Sequence, residues 1–111
     1  MLASFLSKQL SMNNSYLYIA CNGYVLAIDT VNGDEIWRTH LTAGFLSISH
    51  TDVNILLSND VLYAGTNGYL FALDSYNGNI IWQNDLRGMG YNDVAMAIKD
   101  LSVQNTSTSE K

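Results

Sequence analysis

The chain's chemically capable side chains are one cysteine, two histidines and ten carboxylates, and their spacing decides what they can do. Cys21 is the only thiol, which excludes an internal disulfide and any metal site built from several thiolates. No basic residue lies close to it in sequence to favour a reactive thiolate, so it reads as a small strand residue. His40 and His50 do not form the His-x-x-x-His spacing of a zinc helix, and both read as surface or loop residues. Asp29 and Asp74 are the nearest thing to a carboxylate pair for acid–base work. They stand 45 residues apart in two copies of one pattern, so each reads as a residue of its own turn. Neither the Asp29–Asp34 stretch nor Asp52-Val53-Asn54 has the alternating oxygen ligands and closing Glu of a calcium loop. No Gly-Lys-Ser/Thr phosphate cradle and no Gly-x-Ser-x-Gly elbow occurs. Catalytic, cofactor-binding and metal residues are therefore assigned to none.

The elements that hold these residues are written twice. Shifting the chain by 45 residues aligns Ser15–Leu41 with Asp60–Leu86, and 12 of 27 pairs are identical: Leu17/Leu62, Tyr18/Tyr63, Asn22/Asn67, Gly23/Gly68, Tyr24/Tyr69, Ala27/Ala72, Asp29/Asp74, Asn32/Asn77, Gly33/Gly78, Ile36/Ile81, Trp37/Trp82 and Leu41/Leu86. In each copy two β-rich runs flank Asn-Gly, which accepts the positive φ angles of a two-residue hairpin turn. A second turn, "DTVNG" or "DSYNG", places an Asp that can accept amide hydrogen bonds and a Gly that can reverse the chain. "EIWRTHL" or "IIWQNDL" then supplies a third strand. A fourth run, "VNILLS" in the first copy and "VAMAIK" in the second, completes four strands per unit, with five extra residues in the first copy read as a loop elaboration. No window sustains apolar positions at helical spacing, which rules out a helical repeat. The expected fold is all-β: four-stranded antiparallel propeller blades in an incomplete ring or a ring closed by oligomerisation.

Composition agrees with a globular chain of 111 residues: 48% apolar, 14% charged, and a formal charge of −5. Five scattered basic residues against ten acidic ones argue against nucleic-acid binding. The opening "MLASFLSKQLSMNN" is broken by Ser4, Ser7, Lys8 and Gln9 before reaching the length of a signal h-region, and no run approaches membrane-spanning length. The chain as written reads as soluble, untargeted and not membrane-inserted, with its compartment open. Asn13-Asn14-Ser15 and Asn105-Thr106-Ser107 are sequons that matter only in a secreted chain. Tyr24, Tyr69, Phe45 and Tyr91 could form an aromatic rim for a peptide or sugar, against the plainer reading that they pack within and between units.

"LYAGTNGYLFALDSYNGNIIW" resembles the PQQ-like repeat of the quinoprotein alcohol dehydrogenase-like β-propellers, at Tyr63, Gly65, Gly68, Tyr69, Ala72, Asp74, Gly78 and Trp82. The first copy matches at Tyr18, Gly23, Tyr24, Ala27, Asp29, Gly33 and Trp37, with Ala20 replacing one glycine. The resemblance covers Tyr16–Ile98. It implies that Trp37 and Trp82 wedge between neighbouring blades. The enzymes of this family hold their quinone at the centre of a full ring with adjacent cysteines, a stacking Trp and calcium, and this chain lacks that set, so no cofactor is expected.

One domain is expected over 1–111: a leading strand of blade 1 at 1–14, repeat 1 at 15–58, repeat 2 at 59–99, and a frayed start of a third repeat or tail at 100–111. Two blades cannot close a ring, so the expected partners are further copies of the chain or the remaining blades of a larger propeller, with a protein partner also open. The function expected is protein interaction or scaffolding, with little to support an enzyme. The alternatives are a piece of a PQQ-dependent dehydrogenase and a carbohydrate-binding propeller.

Overall fold

A computed structural model of the chain describes residues 15–43, 46–47 and 52–99. Nine strands follow in order: β1 (Tyr16–Cys21), β2 (Tyr24–Asp29), β3 (Glu35–His40), β4 (Thr42–Ala43), β5 (Leu46–Ser47), β6 (Asn54–Ser58), β7 (Val61–Thr66), β8 (Tyr69–Asp74) and β9 (Ile80–Asn84). They form antiparallel sheets β1-β2-β3 and β6-β7-β8-β9, with β4-β5 as a short ribbon between them in sequence. Among the described residues the molecule is all-β, as expected for partial propeller blades, and no helix there is long and apolar enough to cross a membrane.

The two hairpins form because Asn and Gly can both turn left-handed. Asn22 and Gly23 have φ of 51° and 79°, Asn67 and Gly68 of 49° and 81°, and each pair closes a register in which Cys21 meets Tyr24 and Thr66 meets Tyr69. The third strand joins in the same way in both sheets. A register irregularity falls between Ala27 and Ile28 in the first and between Ala72 and Leu73 in the second, 45 residues on.

The grouping of strands departs from the sequence reading at one point. "VNILLS", expected to close the first unit, instead forms β6 and pairs with β7, Asn54 opposite Gly65 through Ser58 opposite Val61. The reason lies in Asn59-Asp60, with φ of 49° and 66°: both residue types tolerate the left-handed region, so this dipeptide makes a two-residue turn. The run therefore opens the second unit, which alone shows four described strands. "VAMAIK", its counterpart, forms no ladder; it runs over the second sheet, held by Gly68 N–H donating to Asn92 O at 2.8 Å and by Asn54 Nδ2 donating to Val94 O at 2.6 Å. Its place is thus the opening of a further unit rather than the fourth strand of the second. The leading strand expected at 1–14, Phe45, His50 and the tail at 100–111 lie outside the described residues.

The core sits between the two sheets. Period-2 alternation buries Val25, Ala27 and Asp29 along β2, and the β7–β8 register sets Leu62 against Leu73 and Ala64 against Phe71 on one face. These apolar residues join Trp37, Leu41 and Ala43 in one cluster, with Tyr16, Tyr18, Ala20, Val53, Ile55 and Tyr69 packed around it.

Candidate functional site

The site with the most developed geometry is where β3 of the first sheet meets the β8–β9 turn of the second. Trp37 lies on the inward face of β3, opposite Ala27, and is 8% exposed. Its indole covers Gly78, where an added Cβ would overlap Cε3 and lie 2.6 Å from Cδ2. Trp37 Nε1 donates to the Ser75 carbonyl at 3.1 Å, Tyr18 Oη donates to the same oxygen at 3.0 Å, and Thr39 Oγ1 donates to the Gly78 carbonyl. Burial pushes the Tyr18 phenol above its ordinary pKa, opposed by that hydrogen bond, so it remains a neutral donor through the physiological range. One glycine, two backbone carbonyls and the Tyr18 and Thr39 hydroxyls thus make a socket for one indole.

The turn that presents the socket is duplicated bond for bond. Asp29 Oδ1 accepts from Val31 N–H and Asp74 Oδ1 from Tyr76 N–H, both at 2.8 Å. Asn32 and Asn77 accept from Asp34 and Asn79 N–H at 2.9 Å, and Gly33 and Gly78 N–H donate to Asp29 and Asp74 O at 2.8 Å. Every recurring polar side chain of the turn is occupied by its own loop. Asp74→Ala is accordingly expected to lower unfolding free energy by about 1–2 kcal/mol in urea titrations while Asp74→Asn, which keeps the acceptor, stays close to the parent. A loss as large for Asn as for Ala would contradict a purely local role.

The equivalent tryptophan is placed differently. Trp82 repeats the ring contact of its counterpart, 6.0 Å from Tyr63 as Trp37 is 6.1 Å from Tyr18. Yet Trp82 is 44% exposed, and every residue of β9 is exposed. Gly33, the counterpart of Gly78, has nothing among the described residues within 4 Å of where a Cβ would stand. Of the expected repeat residues, then, Trp37 and Gly78 meet across the sheets, Asp29 and Asp74 serve their turns, and Gly23 and Gly68 close hairpins; Gly33 and Trp82 face outward.

The remaining candidates disperse. Cys21 is exposed at the end of β1. His40 is neither loop nor free surface: it is half-buried on β3, stacked on Tyr24 with ring centroids 4.3 Å apart, because a long cross-strand neighbour sits directly opposite it. Arg38 lies over the Tyr24 ring and also pairs with Glu35, whose carboxyl that hydrogen bond holds below its usual pKa. Tyr69 tilts against Tyr91 beside a cleft that Asp85 and Arg87 help to line, so the expected aromatic rim is split into separate pairings. Among the described residues no group of three or more His, Cys, Asp or Glu is placed to hold a metal. The residues do not fit a quinone site: one tryptophan is spent on Gly78, the other rests on Tyr63, and the sole cysteine has no neighbour of its kind. Neither the Ser75 carbonyl nor Thr39 as a donor is legible in the residue pattern, since the acceptors on both sides are backbone oxygens, which carry no residue identity.

Face-to-face antiparallel sheets, built on one repeated unit and joined by an indole seated on a turn glycine, define a protein of partial propeller blades. A family model described as outer membrane protein assembly factor BamB, a PQQ-like repeat family, matches residues 3–106, and the chain belongs to that family. No curated protein matches it.

Proposed function

We propose that this chain is a non-enzymatic blade segment that works as a protein-interaction or scaffolding module. The observation that carries the reading is the unequal use of one device. Trp37 acts as a docking tryptophan between units, and Trp82, in the same position of the next unit, is half open to solvent. An amphipathic aromatic ring left exposed on a rigid strand is the kind of residue that anchors protein contacts. The recurring polar residues are meanwhile committed to turns, and the family description names an assembly factor rather than a dehydrogenase.

The competing enzyme reading is tested by titrating the chain with PQQ and calcium and following absorbance and dye-linked alcohol oxidation. The expected result is no saturable spectral change and no dye reduction. Saturable binding with turnover would replace the scaffold reading by that of a dehydrogenase piece.

A further inference from the structure

The 45-residue repeat makes the two outer faces of the molecule counterparts of the two faces that already meet inside it. On the outer side of the first sheet, Leu17, Ile19, Leu26 and Ile28 stand where Leu62, Ala64, Phe71 and Leu73 of the second sheet receive the first. Leu17 and Ile19 are 53% and 40% exposed. Above them the turn offers Gly33 with open space over it and an exposed Thr30 whose carbonyl is the counterpart of that of Ser75. On the outer side of the second sheet, Tyr63, Ala72 and Trp82 repeat Tyr18, Ala27 and Trp37, the set that inserts into a socket. Among the described residues, one face is an empty socket and the other an unseated indole.

We propose that a second copy of this chain seats its Thr30–Gly33 turn over Trp82, repeating between molecules the contact that Trp37 makes with Ser75 and Gly78 within one. This rests on the interaction reading above and names its partner. The covering chain is identified by complementarity already realised once: equivalent positions, apolar on the sheet face and carrying Trp, Gly and a turn carbonyl at its edge, meet and bury each other between the first and second sheets. A hydrogen bond from Trp82 Nε1 to the Thr30 carbonyl needs only backbone from the acceptor, so the change from Ser75 to Thr30 does not disturb it. The segment after Asn92 also follows the pattern. Val94 and Met96 lie against Gly65, and one unit earlier Val53 and Ile55, as well as Ala20, the counterpart of Gly65, pack against the core cluster. Such a contact joins unlike faces, so it is head-to-tail, and where its rotation closes, two to four copies supply the roughly four to eight blades of a ring.

The test uses the full chain in light scattering after size exclusion over a concentration series. The parent is expected at about two to four times the chain mass. Trp82→Ala removes the indole and Gly33→Asn fills the socket with a residue that tolerates positive φ, so each alone is expected as a monomer with unchanged β-sheet circular dichroism. Mixed in equal amounts they retain one intact indole and one intact socket, and a dimer of one of each should form. Leu17→Glu, a charge on the exposed socket face, should also give a monomer and serves if Gly33→Asn folds poorly. A parent that stays monomeric throughout, oligomers that persist in the single variants, or a mixture that stays at monomer mass would each overturn the proposal. Failure here with no PQQ binding leaves the scaffold reading standing with another partner, whereas PQQ turnover removes that reading whatever the mass.

Discussion

Trp37→Ala is expected to destabilise the monomer by about 3–5 kcal/mol, the usual range for emptying a buried aromatic site. Three features place it in that range. The side chain is 8% exposed, it belongs to the core cluster shared by both sheets, and it fills the space above a glycine that has no side chain to collapse inward. The lost hydrogen bond adds little, because the Ser75 carbonyl keeps Tyr18 as a donor. For a chain of this size that loss is a large part of total stability and lowers the thermal midpoint by about 15 °C or more. Trp82→Ala, at a position alike in sequence but 44% exposed, is expected to cost about 1 kcal/mol in the monomer. Urea denaturation of both at low concentration measures the contrast. Equal losses would mean that the two indoles share one environment and would undo the account of the inter-sheet contact.

Gly78→Ala should be nearly as damaging, and Gly33→Ala should not. Both glycines have the same backbone conformation, with φ of 79° and 81°. Any Cβ in the left-handed region costs about 1–2 kcal/mol, so this strain is common to the pair. At Gly78 the methyl would also overlap the Trp37 ring and lie 2.7 Å from Thr39 Oγ1, which adds about 1–3 kcal/mol of overpacking; at Gly33 it meets open space. The expected losses are about 2–5 kcal/mol at Gly78 and 1–2 kcal/mol at Gly33, read from denaturation midpoints in the monomeric range. The double variant Gly78→Ala, Trp37→Ala should be less damaging than the sum of the two singles, because removing the ring removes the clash. Strict additivity would show that the glycine is required only for its turn.

Local conformational preference made much of this fold legible. Asn-Gly tolerates the left-handed pair that most residues avoid, so the hairpins β1–β2 and β7–β8 are readable, and the Asp-x-x-Asn-Gly turns follow from side chains that bond amides two residues on. Asn59-Asp60 uses the same physics with less emphatic residues, which is why the residue pattern alone groups the strand it folds back with the preceding unit. His40 looked like a loop residue because its stacking partner, Tyr24, is adjacent only through pairing of β2 with β3.

The repeat by itself determined the all-β class, the family and the turn chemistry, since each depends on residue type at short range or on a period visible along the chain. What only the tertiary structure decided is which copy of each residue is engaged. Trp37 and Trp82 are indistinguishable as letters, as are Gly33 and Gly78, yet one of each is buried against the other unit and one of each faces outward. That difference comes from where the neighbouring sheet ends up in space, and burial is a property of what stands opposite a residue, which one strand cannot specify.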